Sequence, residues 1–148
     1  MRVEGRRFDP AGAARLLLGH GHVGHLGLAY ADHGEDWVAL DLPWSEHLVG
    51  DPADGVLASG PIISLMDMAG GMAIWTRLGV FRAVATLDLR VDFQRAARPR
   101  HGVTGRVECH AVTRSAAFVR GIAHDGDPDD PVAQVAGVFM TIGEPLRQ

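Results

Sequence analysis

The sequence contains no lysine: all fourteen of its basic residues are arginine, a compositional bias without a functional reading of its own. Against eighteen acidic residues they leave a formal net charge of −4, so no basic surplus draws the chain to nucleic acid or to anionic lipid. Neither nucleic acid nor a membrane is expected as a partner. Cysteine occurs once, at Cys109, which excludes an intramolecular disulfide, and Met1-Arg2-Val3-Glu4 opens no apolar signal run. A reducing cytoplasm is the expected compartment. Repeats and low-complexity linkers are also missing, so the 148 residues read as one domain over 1–148, with 1–22 an N-terminal extension carrying a short helix. At 47% apolar and 22% charged, the composition is that of a globular chain with enough apolar material for a core.

What is present is a single uncommonly apolar stretch. From Gly55 to Thr76 one residue in twenty-two, Asp67, is formally charged. A membrane span needs about 20 apolar residues without a carboxylate in the middle, and the glycines at 55, 60, 70 and 71 dilute this stretch further. It reads instead as a helix buried inside protein. Ser59 or Gly60 can cap it, Pro61 suits the first helical position, and Gly79 can end it in the left-handed conformation. Ala69, Gly70, Gly71 and Ala73 remove bulk, so another element can approach closely.

Around this helix the chain punctuates itself. Asp9-Pro10, Ala11 to Leu18 and Gly19 have the cap, first-turn proline and terminal glycine of a short helix, expected to pack Leu16 to Leu18 on the body. Val23 to Ala31 and Trp37 to Leu42 read as two strands joined through the turn Asp32 to Asp36. A long loop, Pro43 to Ala58, leads into the central helix. After Gly79 the period becomes two: Leu87, Leu89, Val91 and Phe93 alternate with Asp88, Arg90, Asp92 and Gln94, the pattern of a strand with one dry face. Val103, Val107, Cys109 and Ala111 do the same, with Cys109 an inert core thiol, and Ala116 to His124 and Val132 to Ile142 follow as strands. An antiparallel sheet with one dry face covers a fully apolar helix only by curling about it. The last strand is apolar on both faces, which suggests a contact between subunits.

In this order the chain resembles the hotdog-fold acyl-CoA thioesterases, in particular the phenylacetate-pathway (PaaI-like) group, from roughly Leu42 to Ile142. The resemblance is carried by Leu48-Val49-Gly50-Asp51-Pro52, Gly55-Val56-Leu57, Leu65-Met66-Asp67-Met68-Ala69-Gly70-Gly71, the run Ala85 to Phe93, and Arg98-Pro99. It implies an α+β hotdog fold, an antiparallel sheet curled around one long helix, and hydrolysis of a small or medium acyl-CoA, aromatic acyl groups included. It further implies that Asp67 activates water or attacks the thioester, that the Ser59 amide polarises the carbonyl, and that Thr86 positions the water. The site would be shared across a homodimer or dimer of dimers. Where relatives carry His-Gly-Gly before the helix, this chain has Ala58-Ser59-Gly60, so Ala58 lines the substrate without an imidazole.

The chemistry has a reading of its own beside the resemblance. Thioester hydrolysis needs a base or nucleophile near the carbonyl carbon and donors where the oxyanion forms. The N–H groups at Ser59 and Gly60 are such donors, but Asp67 lies about two turns further along, too far for both to reach one carbonyl from a single helix. That favours assembly from two chains. The bland reading of Asp67 is a buried carboxylate satisfied by a neighbour, yet a lone charge in a dry helix is costly unless used. Ser59 and Ser64 lie outside any G-x-S-x-G and are not expected to be nucleophiles. His20, His22 and His25 have no Cys or second acid beside them and read as a polar turn, so no metal is expected. His47 and Asp51 either line the substrate entrance or belong to an ordinary polar loop; Arg95, Arg98 and Arg100 either meet CoA phosphates or form a solvated strand end. No cofactor is expected beyond coenzyme A as part of the substrate. Two alternatives stand: a non-hydrolytic acyl-CoA-binding protein, motivated by Ala58, and a hydratase or dehydratase on the same fold, which lacks the histidine it would want before the helix.

Overall fold

The computed structural model describes residues 7–142. Asp9 accepts a hydrogen bond from the Ala11 N–H and starts α1, Pro10–Leu18, which Gly19 ends. Its Ala14 and Leu18 join the core, while Leu16 is 49% exposed and takes no part in the packing expected of it. The segment from Val23 to Ala31 is not one strand. It divides into a six-residue helix α2, Gly21–Leu26, and a strand β1, Ala29–His33, because Gly27 at φ 76° closes the helix in the left-handed region and redirects the chain. β2, Trp37–Leu42, returns antiparallel to β1, and Asp32 and His33 lie in the strand, not in the turn.

A single 3-10 turn, Glu46–Leu48, interrupts the loop that leads to α3, Ser59–Leu78. The N-cap is Ala58, which offers no side-chain acceptor, so Ser59 and Gly60 are the first two helical residues and Pro61 the third. The first four N–H groups of a helix lack intrahelical partners, so the amides of Ser59 and Gly60 are left pointing outward. At the far end Gly79 adopts φ 71° and donates to the Trp75 carbonyl. The strands β3, Ala83–Phe93, β4, Val103–Val112, β5, Ala116–His124, and β6, Ala133–Ile142, complete one antiparallel sheet in the order β1-β2-β4-β5-β6-β3.

The sheet wraps α3. Leu65, Met66, Ala69, Met72, Ala73 and Ile74 are fully buried against Val38, Leu40 and Leu42 of β2, Val107 and Cys109 of β4, Val119 of β5 and Phe139 of β6. Each of the larger side chains among these, Leu, Ile, Met, Val and Phe, contributes about 1.5–3 kcal/mol on burial. A β-carbon at Gly70 would lie 3.0 Å from the Phe139 ring, so the small residues of α3 admit the sheet to close range as their pattern predicts.

β3 departs from its pattern. A register shift between Thr86 and Asp88 leaves Leu87 as the extra residue of a bulge, 61% exposed, and Phe93 is 42% exposed. β3 is one of the two edge strands of the sheet, and among the described residues no further strand pairs with its outer side. α3 is likewise not enclosed on every side: Gly60, Ile63, Ser64 and Asp67 recur at three- and four-residue spacing as a row that the sheet leaves uncovered, with Ile63 39% exposed. On β6, Met140 and Ile142 point outward, at 39% and 49% exposure. Among the described residues no helix is long and apolar enough to cross a membrane.

Candidate active site

Asp67 is half-buried on the uncovered row of α3, and Thr86 reaches it from β3, donating from Oγ1 to Asp67 Oδ1 at 2.6 Å. Two elements separated by the C-cap of the helix thus meet at one carboxylate, with Thr86 its one hydrogen-bond partner among the described residues. The bulge at Leu87 falls immediately after Thr86 and re-aims the strand there. Along the same row, one turn earlier, Ser64 Oγ lies 2.8 Å from His22 Nε2 of α2.

Ser59 and Gly60 stand at the other end of the row, both exposed. Eight residues of α-helix separate Ser59 from Asp67, about 12 Å of rise, so one chain does not bring carboxylate and amide together. Ser59 instead borders a cleft of about 310 Å³ whose walls include Val56, Leu57, Ile62, Phe93 and Val132. The cleft is chiefly apolar. Ala58 is half-buried beside it, its N–H donating to the Leu48 carbonyl.

The remaining sequence candidates are engaged elsewhere. Asp51 accepts from the Ala53 N–H through its side chain, and its carbonyl accepts from Asp54 and Gly55, the work of a turn residue. His47 is held by Ser45 Oγ at 2.7 Å and stacks edge-on against His25 with ring centroids 5.3 Å apart, and it is not among the residues that line the cleft. Arg95 does line the cleft, but its guanidinium forms a fork on Asp125, Nη1 to Oδ2 at 2.9 Å and Nη2 to Oδ1 at 2.7 Å, and also meets Asp130. Arg98 adds its backbone N–H to Asp125 Oδ2 at 2.9 Å and its Nη2 to the Asp125 carbonyl. The Arg95 fork, aided by the Arg98 N–H, holds the Asp125 carboxyl well below the usual carboxylate range against the opposing effect of burial, and Arg95 is raised in turn. The pair therefore pins the β3–β4 loop to the β5–β6 turn. Arg100 is the member of the basic run whose guanidinium makes no ion pair or hydrogen bond among the described residues.

Sequence reasoning did not find Asp125, which lies between two strands among Asp, Gly and Pro residues; Arg95 and Arg98, about thirty residues earlier, were the available signal. It also missed the pairing of His22 with Ser64, which no spacing reveals. The histidines at 20, 22 and 25 do not converge: His20 stands at the N-cap position of α2 without a side-chain capping bond, His22 turns to Ser64 and His25 to His47. Cys109 is buried, and burial pushes its thiol up, as befits a core residue.

The thioesterase-superfamily profile matches residues 54–132, the stretch that holds α3, β3, β4, β5 and the cleft. This chain belongs to the thioesterase superfamily. A Pseudomonas aeruginosa protein of known structure shares 37% identity with it over 90% of this chain and 100% of its own, with a TM-score of 0.81. A Halobacterium salinarum protein with the provisional name of esterase is 35% identical over 98 residues, 62% of this chain. The match spans 65% of that relative's length. The Escherichia coli PaaI protein from the phenylacetic acid degradation operon superposes with a TM-score of 0.76 at 15% identity, covering 90% of this chain and 92% of its own, and so shares the hotdog fold. In this superfamily member, then, the helix wrapped by the sheet is the hotdog helix, and Asp67 is the carboxylate on its open side.

Proposed function

We propose that this chain is an acyl-CoA thioesterase acting on small or medium acyl groups, with Asp67 as the base. The observation that carries the reading is the 2.6 Å hydrogen bond from Thr86 to Asp67 on the uncovered row of an otherwise apolar helix. Thr86 occupies one carboxylate oxygen and fixes the rotamer, so the other oxygen is oriented toward the open side, where a water and a thioester carbonyl can approach. Asp67 takes a proton from the water as its oxygen bonds to the carbonyl carbon. The carbonyl electron pair moves onto oxygen, and that oxyanion is met by backbone N–H groups at the start of α3. Collapse breaks the carbon–sulfur bond, and the departing thiolate accepts the proton. Water is consumed, and a carboxylic acid and a free thiol leave.

Because Ser59 and Asp67 are about 12 Å apart along one helix, the oxyanion donors come from a second copy in a homodimer or dimer of dimers. The open β3 edge, the exposed Leu87 and Ile63, and the uncovered row of α3 support that closure. The apolar cleft beside Ser59 is suited to a short acyl group or the pantetheine arm. Arg95 and Arg98 are already paired, so the CoA phosphates fall more naturally to Arg100. His47 and Asp51 each hold a local hydrogen bond in the loop, and on this reading the substrate contacts fall to other residues. No cofactor takes part, and the substrate supplies the coenzyme A.

Free-thiol release from a panel of acyl-CoA esters tests the reading. Asp67→Asn keeps shape and removes the base, and it should lower kcat by about 10²-fold or more with the melting temperature preserved. Wild-type turnover by Asp67→Asn would remove Asp67 from the mechanism, and a wild-type protein that binds acyl-CoA without releasing thiol would make it the binding protein.

A further inference from the structure

Three polar side chains, from three different elements, converge on the one open row of α3. His22 comes from α2, Ser64 from α3 and Thr86 from β3, and they bracket Asp67 along the helix. The Thr86 contact belongs to the site already described. The His22–Ser64 contact has no assigned role, and of its two partners His22 lies outside residues 54–132 that the superfamily profile matches, whereas Ser64 lies within them.

Ser64 and Asp67 are three residues apart, so their side chains share one helix face with about 5–6 Å between β-carbons. That separation admits one water between a hydroxyl and a carboxylate, hydrogen-bonded to both. A serine hydroxyl on a helix commonly turns back to the carbonyl one turn earlier. Here an imidazole nitrogen at 2.8 Å competes for it and holds Oγ out on the face that carries Asp67. His22 is itself exposed and packs into no core, so burial does not account for its direction.

We infer that His22 and Ser64 are positioning residues for the hydrolytic water: the Ser64 hydroxyl donates a hydrogen bond to the imidazole and keeps its proton, and Ser64 Oγ in turn accepts a hydrogen bond from one hydrogen of the water whose other hydrogen Asp67 removes. The water's lone pair is then aimed away from both and toward the open side, where the thioester carbon lies. Ser64 forms no bond to the substrate and is not the nucleophile. Neither residue need bind the acyl group, so their loss falls on kcat and leaves KM nearly unchanged. The inference rests on Asp67 being the base, and its test separates the two.

The test measures thiol release by the wild type, Asp67→Asn, His22→Ala, His22→Gln, Ser64→Ala and the double variant His22→Ala with Ser64→Ala, all on the best acyl-CoA of the panel. Each single alanine variant should lose about tenfold in kcat, the equivalent of one hydrogen bond, at constant KM and melting temperature. The double variant should lose no more than either single one, since the pair acts as a unit. Gln can present an amide group near the place of Nε2, and His22→Gln should recover most of the loss. Wild-type kcat in His22→Ala and Ser64→Ala, alongside a crippled Asp67→Asn, overturns this inference and leaves the base in place. Wild-type kcat in Asp67→Asn overturns the reading beneath it. Covalent capture of Ser64 by a fluorophosphonate, with an acyl-enzyme trapped at Ser64, would make it a nucleophile and also overturn the inference. Equal loss in His22→Gln and His22→Ala would reduce His22 to a packing role and count against it in the same way.

Discussion

The residues that carry charge into this structure are used in two opposite ways. Among the described residues Asp67 has a single hydrogen-bond donor, and it faces the open side, whereas Asp125, with its side chain 2% exposed, is saturated by Arg95 and Arg98. The first arrangement leaves a carboxylate able to accept a proton, and the second spends the carboxylate on holding two loops together. The consequence for Asp125 is a dependence of stability on acid. Its folded carboxyl is held well below the ordinary value of about 3.9, chiefly by Arg95. Above that ordinary value both states are ionised and the ion pair contributes in full. As pH falls below about 4 the unfolded chain takes up a proton that the folded chain refuses, so this stabilisation drains away until the folded carboxyl protonates too. Asp125→Asn should therefore be destabilised at neutral pH and lose less stability between about pH 5 and 3 than the wild type, read by chemical denaturation at each pH. An unchanged acid limb would show that Asp125 does not carry this dependence.

At the level of elements, α3 is both the core and the site, and its two jobs lie on different faces. The face toward β5 and β6 is small so that the sheet can close on it: a β-carbon at Gly70 meets the Phe139 ring at 3.0 Å and Val119 at 3.4 Å. Valine at this position adds branched bulk to a packed interior where Phe139 is 2% exposed. Gly70→Val should cost about 1–3 kcal/mol, seen as a lower denaturation midpoint with an unchanged denaturant slope. A gain in stability would mean that the Phe139 ring turns aside freely and that close packing here is not needed. The open face, from Gly60 through Asp67, carries none of this packing, which is why Asp67→Asn is expected to spare the fold. Sequence periodicity sees a helix apolar all round and cannot say which side its own sheet leaves uncovered.

For the whole molecule, the distance along α3 between Ser59 and Asp67 requires a second copy if both serve one carbonyl. Ser59 is the first residue of α3, a position where proline is tolerated and where it removes only the N–H, and the extended backbone of Ala58 at φ −64° and ψ 156° suits the residue before a proline. Ser59→Pro should thus delete one oxyanion donor and keep the helix. Ser59→Pro and Asp67→Asn should each be weakly active alone, and a randomly re-paired mixture should recover about a quarter of the wild-type sites, since half of the dimers are mixed and one site in each is whole. A monomer by light scattering, or no recovery after verified exchange, would refute the shared site.

The sequence by itself determined the helix that ends at Gly79 and the four strands that follow, because those depend on local signals: a left-handed glycine, a two-residue period, and a long apolar run with one acid; the hotdog arrangement came from the resemblance carried by its motifs. It also singled out Asp67 and Thr86, through the solitary charge and the resemblance of the run from Ala85 to Phe93. It misread Val23 to Ala31, where a short apolar run permits helix or strand and Gly27 made the choice, and by offering Ser59 or Gly60 it put the helix cap one or two residues late, since the capping position is fixed by the path of the incoming loop and not by which residue could cap. Tertiary structure alone decided which candidates meet. Arg95 and Arg98 went to Asp125, Asp51 to its own turn and His47 to His25, while His22 came to Ser64 across 42 residues of chain. Such pairings depend on how the loops and the sheet fold back on α3, and no interval along the chain encodes them.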